Sequence, residues 1–312
     1  MPDTPASVAL IVNPESGAGS DPDVIAGLLR EYGVEVTLFA PDEAGAAAAS
    51  GADRIAVASG DGALGPAAAA ASRVGVPLAV IPVGTANDFA RGQGLPAGPH
   101  SAARLAALGT MLRALDLAWI GQPGATGVRG REPPAGIRER PFVNAASAGL
   151  ASLAGEAATD MKRVLGPVAY FAGALWSGLS GRPIGCSVTA DGVQAFEGKA
   201  WQVTVAGTGS FGAGSQLEVA DARDGLLDVA VLEAGSRIRL VGYAYGLRTR
   251  RLTGQAGVRH VPAELVELEL ERATTLNVDG ELIPAGPTIE FHVEREAFRL
   301  VVPDQAGADS PS

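Results

Sequence analysis

Cysteine and histidine are scarce in this chain, and their scarcity limits the chemistry that it can support. Cys186 is the single cysteine among 312 residues, so an internal disulfide is excluded and a reducing compartment fits. The three histidines, His100, His260 and His292, lie far apart and show no metal-ligand spacing. Thiolate and clustered-imidazole metal sites are therefore excluded, and any metal is expected to be a hard cation held by carboxylates and phosphate.

Positive charge is also in short supply. The chain has 24 Lys and Arg against 34 Asp and Glu, and its net charge of −10 argues against general nucleic-acid binding. The stretch 234–263 is the exception, because it has no acidic residue and is rich in arginine. Its arginines are Arg237, Arg239, Arg248, Arg250, Arg251 and Arg259. We interpret the stretch as a solvated helix with a basic face, and contact with an anionic membrane surface is the alternative.

Long apolar runs are missing as well. The longest uncharged segment, 164–181, approaches membrane-spanning length, but glycines and a proline interrupt it, which favours a buried helix. The N-terminus shows no basic region followed by an apolar core, so we expect no secretory signal. We therefore predict no transmembrane span and a cytoplasmic location, with peripheral contact at the inner membrane face left open.

The first 118 residues alternate apolar runs with segments of helical periodicity. Strands are predicted at 8–12, 34–39, 55–58 and 78–81, and helices at 21–29, 44–50 and 67–73. This β-α-β-α-β-α-β order predicts a parallel sheet with right-handed crossovers. Ligands of such sheets bind beyond the carboxyl ends of the strands. We therefore predict an N-terminal α/β domain at 1–118, on which a segment at about 294–304 packs back.

Period-two segments dominate the rest of the chain, after a predicted mobile loop at 121–141 and a helical stretch at 150–179. Strands are predicted at 184–190, 201–206, 227–232, 265–271, 275–278, 288–293 and 297–302. Asp191-Gly192, Asp224-Gly225 and Asp279-Gly280 predict turns. The pattern predicts a second, mostly antiparallel β-rich domain at 119–293 and a frayed tail at 305–312.

Two glycine-containing turns follow buried strands of the first domain. Ser59-Gly60-Asp61-Gly62 follows the third strand, and 83–89 follows the fourth. Glycine lets backbone N–H groups approach a phosphate, so the two turns together indicate one polyphosphate that is bound from two sides. The carboxylate of Asp61 in the first turn indicates that a metal ion binds with the phosphate. A dinucleotide site is also suggested by the spacing of Gly60, Gly62 and Gly65, but Asp61 would repel a pyrophosphate without a cation. A P-loop is excluded, because neither Lys162 nor Lys199 lies near a glycine turn.

These segments resemble the diacylglycerol kinase catalytic domain family, in particular its soluble bacterial lipid kinases. The most specific match is 82–91, which is similar to the family's Pro-x-Gly-Thr-x-Asn-Asp-Phe-Ala-Arg. The other matching segments follow in the family's order. They are Asn13-Pro14 with Ser16-Gly17, Ser59–Gly62, Leu115-Asp116-Leu117, 144–149, 166–170, 224–229 and Asp279-Gly280-Glu281.

The resemblance implies a phosphofructokinase- and NAD kinase-like α/β domain that binds the nucleotide, and a β-rich sandwich domain for the lipid. It implies transfer of the ATP γ-phosphate to a lipid hydroxyl, such as that of diacylglycerol, with Mg²⁺, in phospholipid biosynthesis. The nucleotide-binding residues implied are Asn13, Ser16, Gly17, Ser59, Gly60, Gly62, Gly84, Thr85 and Asn87. The implied metal ligands are Asp61, Asp88 and Asp116 for the catalytic ion, and Asp224 with the Leu226 carbonyl for a structural one. Asp279 is the implied base, with Glu281 beside it and Asp61 completing the catalytic set.

The first glycine turn departs from the family pattern at three points. Ser59 replaces a glycine, Ala63 replaces a threonine, and Gly65-Pro66 replaces an Asn-Glu pair. Two alternatives to the lipid kinase therefore stay open: a weakened or inactive nucleotide- or lipid-binding relative, and a soluble-substrate kinase of the NAD kinase type. A homodimer is compatible with the sequence, and no nucleic-acid partner is expected.

Overall fold

The computed structural model describes residues 4–14, 16, 21–121, 139–150, 181–209, 217, 219–249 and 251–304. Its contacts divide the chain into two compact units. The first unit comprises Met1–Leu117 with Arg295–Ser312, and the second comprises Ala118–Glu294. The first unit combines helices with a parallel sheet and the second is rich in β-strands, so the predicted fold class is confirmed.

A parallel sheet forms the centre of the first unit. Its strands are β1 (Ser7–Val12), β2 (Glu35–Phe39), β3 (Arg54–Ser59) and β4 (Leu78–Pro82), in the order β2-β1-β3-β4. The C-terminal part of β15 (Thr288–Val301) pairs in parallel with β4 at Leu300. Every residue of β3 and β4 is buried, as expected for strands of a parallel sheet that is covered on both faces. The predicted strands of this sheet are therefore confirmed.

Five helices accompany this sheet among the described residues. They are α1 (Pro22–Arg30), α2 (Ala44–Ala49), α3 (Leu64–Val74), α4 (Asp88–Gly92) and α5 (Pro99–Leu108). Helix α1 begins where predicted, because the Asp21 carboxylate accepts a hydrogen bond from the Asp23 amide at 2.9 Å and caps the helix. Helix α3 starts three residues before its predicted limit, which places Pro66 in its first turn.

Arg54, at the start of β3, is a buried cation of the first unit. Its side chain is 3% exposed, and its guanidinium donates to the Ala106 and Gly109 carbonyls at the C-terminal end of α5. Burial lowers the pKa of Arg54 to about 10, so the group stays charged at neutral pH. A cation at the end of a helix stabilises the carbonyls that have no partner within the helix.

The second unit consists mainly of antiparallel strands. They are β6 (Arg140–Phe142), β7 (Ala145–Gly149), β8 (Ile184–Ala190), β9 (Val193–Ala206), β10 (Leu227–Glu233), β11 (Val258–Ala263), β12 (Leu265–Leu270), β13 (Thr274–Val278) and β14 (Glu281–Ala285). The order is β14-β13-β7-β9-β8-β12-β15, and β10 pairs with both β9 and β11. Strand β5 (Leu112–Gly121) pairs with β6 through its last residues.

Two of the predicted Asp-Gly turns close two-residue hairpins in this unit. Asp191 and Gly192 join β8 to β9, and Asp279 and Gly280 join β13 to β14. All four residues have positive φ, between 48° and 88°, as the tightest hairpin turn requires. These turns fix the register of the flanking strands, so the prediction of turns at these positions is confirmed.

Several predicted boundaries were wrong. The strands expected at 288–293 and 297–302 form one strand, β15, in which Glu296 has a φ of 47°. The strand expected at 201–206 begins at Val193, and β5, β6, β7, β11 and β14 were not predicted as strands. The predicted helix at 150–179 lies, after its first residue, outside the described residues. So do most of the predicted loop at 121–141 and the tail at 305–312.

The arginine-rich stretch contains a helix, α6 (Ile238–Thr249). Over the described residues, no helix combines the length and the apolar character that crossing a bilayer requires.

Candidate functional site

The first glycine turn lies at the carboxyl end of β3. Strand β3 ends at Ser59, and a short 3₁₀ turn, Asp61–Ala63, leads directly into α3. Ser59 is buried at 4% exposure, and its hydroxyl oxygen lies 3.3 Å from that of Ser16. The backbone N–H of Asn13, at the end of β1, donates to the Ala58 carbonyl at 3.1 Å. The ends of β1 and β3 thus bring Asn13, Ser16 and Ser59 together.

The second glycine turn touches the first one. A Cβ atom placed on Gly84 would lie 2.5 Å from the Cα of Gly60 and 2.9 Å from Oδ1 of Asn87. Asn87 has a φ of 48°, and its side-chain amide donates to the Gly84 carbonyl at 2.7 Å. Because only a residue without a side chain fits at position 84, the close approach of the two turns depends on glycine there.

Asp61 ties the two turns together. Its two carboxylate oxygens accept hydrogen bonds from the backbone amides of Asp88 and Phe89, each at 3.0 Å. Asp61 therefore caps α4 from 27 residues away, at the end of the helix that carries partial positive charge. Asp88 itself is buried, and its carboxylate pairs with Arg91 at 2.7 Å.

Asp116 is placed by a different contact of the first unit. It lies on β5 at 9% exposure, and its Oδ1 accepts a hydrogen bond from the Glu296 amide at 2.7 Å. In the described ranges, no three side chains of the Asp, Glu, His or Cys type lie close enough to hold a metal by themselves. Asp61, Asp88 and Asp116 thus stay predicted ligands. Their oxygens suit Mg²⁺, which takes few protein ligands and completes its shell with phosphate and water.

Asp279 is held by the backbone of a distant segment of the second unit. Its Oδ2 accepts from the Val143 amide at 2.8 Å, and its Oδ1 accepts from the Asn144 and Ala145 amides at 2.9 and 3.0 Å. The tight hairpin and these three N–H groups fix both the backbone and the carboxylate of Asp279. Asp279 is therefore a turn residue whose carboxylate has a defined position.

Glu281 follows Asp279 at the start of β14. Its carboxylate, about half exposed, pairs with Arg140 of β6. The predicted residues Asp279 and Glu281 thus lie on one hairpin, but their side chains have different partners. Sequence reasoning overlooked Arg140 and the backbone 143–145 that holds Asp279, because these contacts span more than 130 residues.

Asp224 adopts a local turn geometry. Its Oδ1 accepts from the Leu226 amide at 2.9 Å, and Gly225 between them has a φ of 74°. This is an Asx-type turn, which needs no ion to form. The structural magnesium site at Asp224 and the Leu226 carbonyl therefore stays a prediction, and so does Gly17, which lies outside the described residues.

Sequence reasoning also overlooked a buried polar group on β7 and β9. Ser147 and Thr204 face each other with hydroxyl oxygens 3.1 Å apart, and the Gln202 amide donates to Thr204 at 2.8 Å. All three are less than 10% exposed. Polar residues at every second position of otherwise apolar strands were the available signal. Buried polar side chains that satisfy one another fix strand register.

Cys186 is not a candidate nucleophile or metal ligand. It is buried on β8, and burial, together with the charge of Glu271, raises the pKa of its thiol to about 11. A thiol that stays protonated at neutral pH is neither a nucleophile nor a metal ligand.

Two family models together match almost the whole chain. Residues 7–120 match the diacylglycerol kinase catalytic domain, and residues 144–302 match the YegS C-terminal NAD kinase beta sandwich-like domain. The second match alone covers about half of the chain. The sequence resemblance therefore extends over both units.

Individual relatives agree with these matches. A probable lipid kinase YegS-like of Pseudomonas fluorescens is 33% identical over 277 residues, which is 85% of this chain and 81% of the relative. A diacylglycerol kinase of Mycobacterium tuberculosis is 29% identical over 75% of each chain. A crystal structure of a diacylglycerol kinase from Bacillus anthracis has a TM-score of 0.72 at 22% identity, over 98% of this chain and 99% of its own, which shows the shared fold. The chain belongs to the diacylglycerol kinase catalytic domain family and carries that family's YegS-type C-terminal domain.

Proposed function

We propose that this protein is a lipid kinase that transfers the γ-phosphate of ATP, bound with Mg²⁺, to a lipid hydroxyl such as that of diacylglycerol. The observation that carries the proposal is the contact between the two glycine turns. Asp61, in the first turn, stabilises this contact because it accepts hydrogen bonds from the backbone at the start of α4, which follows the second turn. The two adjoining turns lie at one sheet edge, where backbone N–H groups of glycine turns can bind a polyphosphate, while the first two N–H groups of α4 are engaged by Asp61. The curated relatives, which are named as lipid and diacylglycerol kinases, supply the class of acceptor.

Phosphoryl transfer depends on alignment and charge neutralisation more than on covalent chemistry by the protein. In the proposed reaction, the glycine turns bind the β- and γ-phosphates. Asp61, with Asp88 and Asp116, would hold the magnesium ion, which would neutralise charge on the transferring phosphoryl group. The lipid oxygen forms a bond to the γ-phosphorus while the bond from that phosphorus to the bridging oxygen breaks, and ADP leaves.

Asp279 is the base in this proposal. Its carboxylate accepts the proton of the lipid hydroxyl as the new oxygen–phosphorus bond forms. The three backbone N–H groups keep the carboxylate in one orientation, which a general base within hydrogen-bond reach of its substrate needs. Glu281 is engaged by Arg140, so we assign it a positioning role on the same hairpin.

A weakened or inactive relative is the second candidate, and the first glycine turn favours it. Ala63 has no hydroxyl to offer a phosphate, and Pro66, at the third position of α3, has neither a carboxylate nor an N–H group. The hydroxyl of Ser59, by contrast, has a hydrogen-bond partner in the hydroxyl of Ser16. Loss of one positioned polar group commonly lowers a rate about 10²-fold or more.

One experiment separates these functions. The protein is incubated with γ-labelled ATP and Mg²⁺, together with diacylglycerol, a sphingoid base, phosphatidylglycerol or NAD. Label in a lipid that disappears in Asp279→Asn supports the proposal. Label in NAD instead identifies the soluble-substrate kinase, and nucleotide binding without label in any acceptor identifies the inactive relative.

A further inference from the structure

Helix α6 has an exposed apolar face. Ile238, Val241 and Tyr245 are 74%, 60% and 66% exposed. They are spaced by three and four residues, so they lie along one side of the helix. Large apolar side chains that are exposed together on one side are uncommon on a protein surface and mark a site of interaction.

The opposite side of α6 is anchored in the second unit. Tyr243 is 3% exposed, and its hydroxyl donates to the Gly257 carbonyl at 3.2 Å. Tyr243 belongs to a buried cluster that includes Trp201 and Leu232, and Leu240 packs against this cluster. The helix is therefore fixed to the sheet by one apolar side while it presents another one to solvent.

Three exposed arginines lie at the two ends of α6. Arg237, Arg239 and Arg251 are exposed, and none of them forms an ion pair with a carboxylate of the described residues. Arg259 differs, because it pairs with Glu233 at 2.7 Å. The stretch 234–263 has no acidic residue, so it contributes no carboxylate of its own to offset these charges. We call Ile238, Val241 and Tyr245, with the three unpaired arginines, the α6 face.

We propose that the α6 face docks on an anionic lipid bilayer. Apolar side chains enter the boundary between head groups and acyl chains, and Tyr245 lies at head-group depth with its hydroxyl toward water. The arginines bind lipid phosphates, each contributing attraction to an anionic surface. The proposal rests on the proposed function in one respect, namely that a kinase acting on membrane lipids needs a way to reach them.

Charge complementarity favours a bilayer over a second copy of the chain. A two-fold interface would bring the same surface of each copy together. The arginines of one α6 face would then lie against those of the other, and like charges across an interface are destabilising. An anionic bilayer supplies the opposite charge and an apolar layer at the same place.

The test is co-sedimentation of the full chain with vesicles of equal phosphatidylglycerol and phosphatidylcholine, with pure phosphatidylcholine vesicles in parallel. We expect binding to the anionic vesicles in 0.1 M salt and little binding to the neutral ones or in 1 M salt, because salt screens the attraction. Each arginine removed is expected to lower the partition coefficient about fivefold, so the triple arginine variant loses about 100-fold. The triple apolar variant is expected to lose at least tenfold.

Control variants carry changes of the same kind, arginine to glutamine and apolar residue to serine, at other exposed positions. The arginine variant is Arg237→Gln, Arg239→Gln and Arg251→Gln, with Arg73→Gln, Arg104→Gln and Arg272→Gln as its control. The apolar variant is Ile238→Ser, Val241→Ser and Tyr245→Ser, with Val24→Ser, Val74→Ser and Val193→Ser as its control. All changes are at exposed side chains, so thermal unfolding is expected to stay near that of the parent.

Either of two results would overturn the proposal. One is vesicle binding that stays the same in both α6 variants. The other is concentration-dependent self-association of the parent that the α6 variants abolish, since a second copy would then cover the face. The readout needs no turnover, so a protein inactive toward all lipids but still bound to vesicles would contradict the proposed function alone. An active kinase should keep its rate on a detergent-dispersed short-chain lipid in the α6 variants and lose it on vesicles.

Discussion

Replacement of Gly84 by alanine tests the contact between the two glycine turns directly. The new Cβ would lie 2.5 Å from the Gly60 Cα and 3.2 Å from the Gly60 amide nitrogen. Carbon atoms in contact prefer a separation of about 3.5–4.0 Å, so the turns must separate by about 1 Å. Overpacking of this kind costs about 1–3 kcal/mol, which corresponds to a Tm lowered by about 2–12 °C in a unit of this size.

The effect on activity should exceed the effect on stability. A shift of about 1 Å in groups that align a reacting phosphate lowers a rate by about 10²-fold. We therefore expect Gly84→Ala to lower kcat/KM for ATP about 100-fold, measured with labelled ATP and the preferred lipid, while the protein stays folded at 25 °C. Nucleotide affinity, measured by calorimetry, should fall as well.

Two controls make this prediction specific. Gly60→Ala places its Cβ 3.7 Å from the Gly84 Cα, which is an ordinary contact, so its Tm should stay near that of the parent. Gly27→Ala, in the middle of α1 with open space around it, should raise stability by about 0.5–1 kcal/mol. A Gly84→Ala protein with the parent's Tm and turnover would refute the inference that close contact of the turns builds the phosphate site.

Three further predictions concern single side chains. Asp279→Asn should lower kcat by about 10²–10⁴-fold with nucleotide affinity unchanged, and full turnover would remove Asp279 from the base assignment. Arg54→Met should lower the free energy of unfolding by about 2–4 kcal/mol in urea titrations, because the buried Ala106 carbonyl and the half-buried Gly109 carbonyl at the end of α5 lose their donor. The exposed Arg73→Met serves as its control, and equal effects would contradict the role of Arg54. Burial lowers the pKa of His292 below its ordinary 6.5, so protonation favours the unfolded state and Tm should fall as the pH drops from 7.5 to 5.5. His292→Phe, which keeps the stack on Trp119, should reduce that fall, and an unchanged pH dependence would exclude His292 as its source.

The parts of the fold that could be predicted depend on local signals. Continuous apolar runs predicted β1, β3 and β4, because strands covered on both faces need apolar residues throughout. The Asp-Gly pairs at 191–192 and 279–280 predicted hairpins, because positive φ at both positions is tolerated by few residues. The two halves of β15 were separated in the prediction by the polar residues 294–296, which the strand passes through with a local distortion at Glu296.

The parts that could not be predicted depend on contacts between distant residues. Asp61 was singled out as a metal ligand from its place in a glycine turn, whereas its bonds to the α4 backbone follow only from the spatial proximity of the two turns. Asp279 likewise could be identified as a turn residue, but not as the acceptor of three backbone N–H groups. The spacing of residues in a sequence predicts contacts between neighbours along the chain. It did not predict these two contacts, because each joins segments that are distant in sequence and are brought together by a sheet.

Asp61 and Asp279 share a feature that bears on the altered first glycine turn. Each carboxylate is oriented by backbone N–H groups, so its position depends on the path of the chain and on few side chains. Of the three departures from the family pattern, Ser59 lies beside Ser16, while Ala63 offers no hydroxyl and Pro66 offers neither a carboxylate nor an N–H group. The departures thus leave fewer polar groups at the proposed phosphate site, in a chain whose two glycine turns are in contact and whose Asp61 is held by backbone N–H groups. We therefore expect a kinase that binds nucleotide and has a lowered turnover, and we do not expect a protein that has lost nucleotide binding.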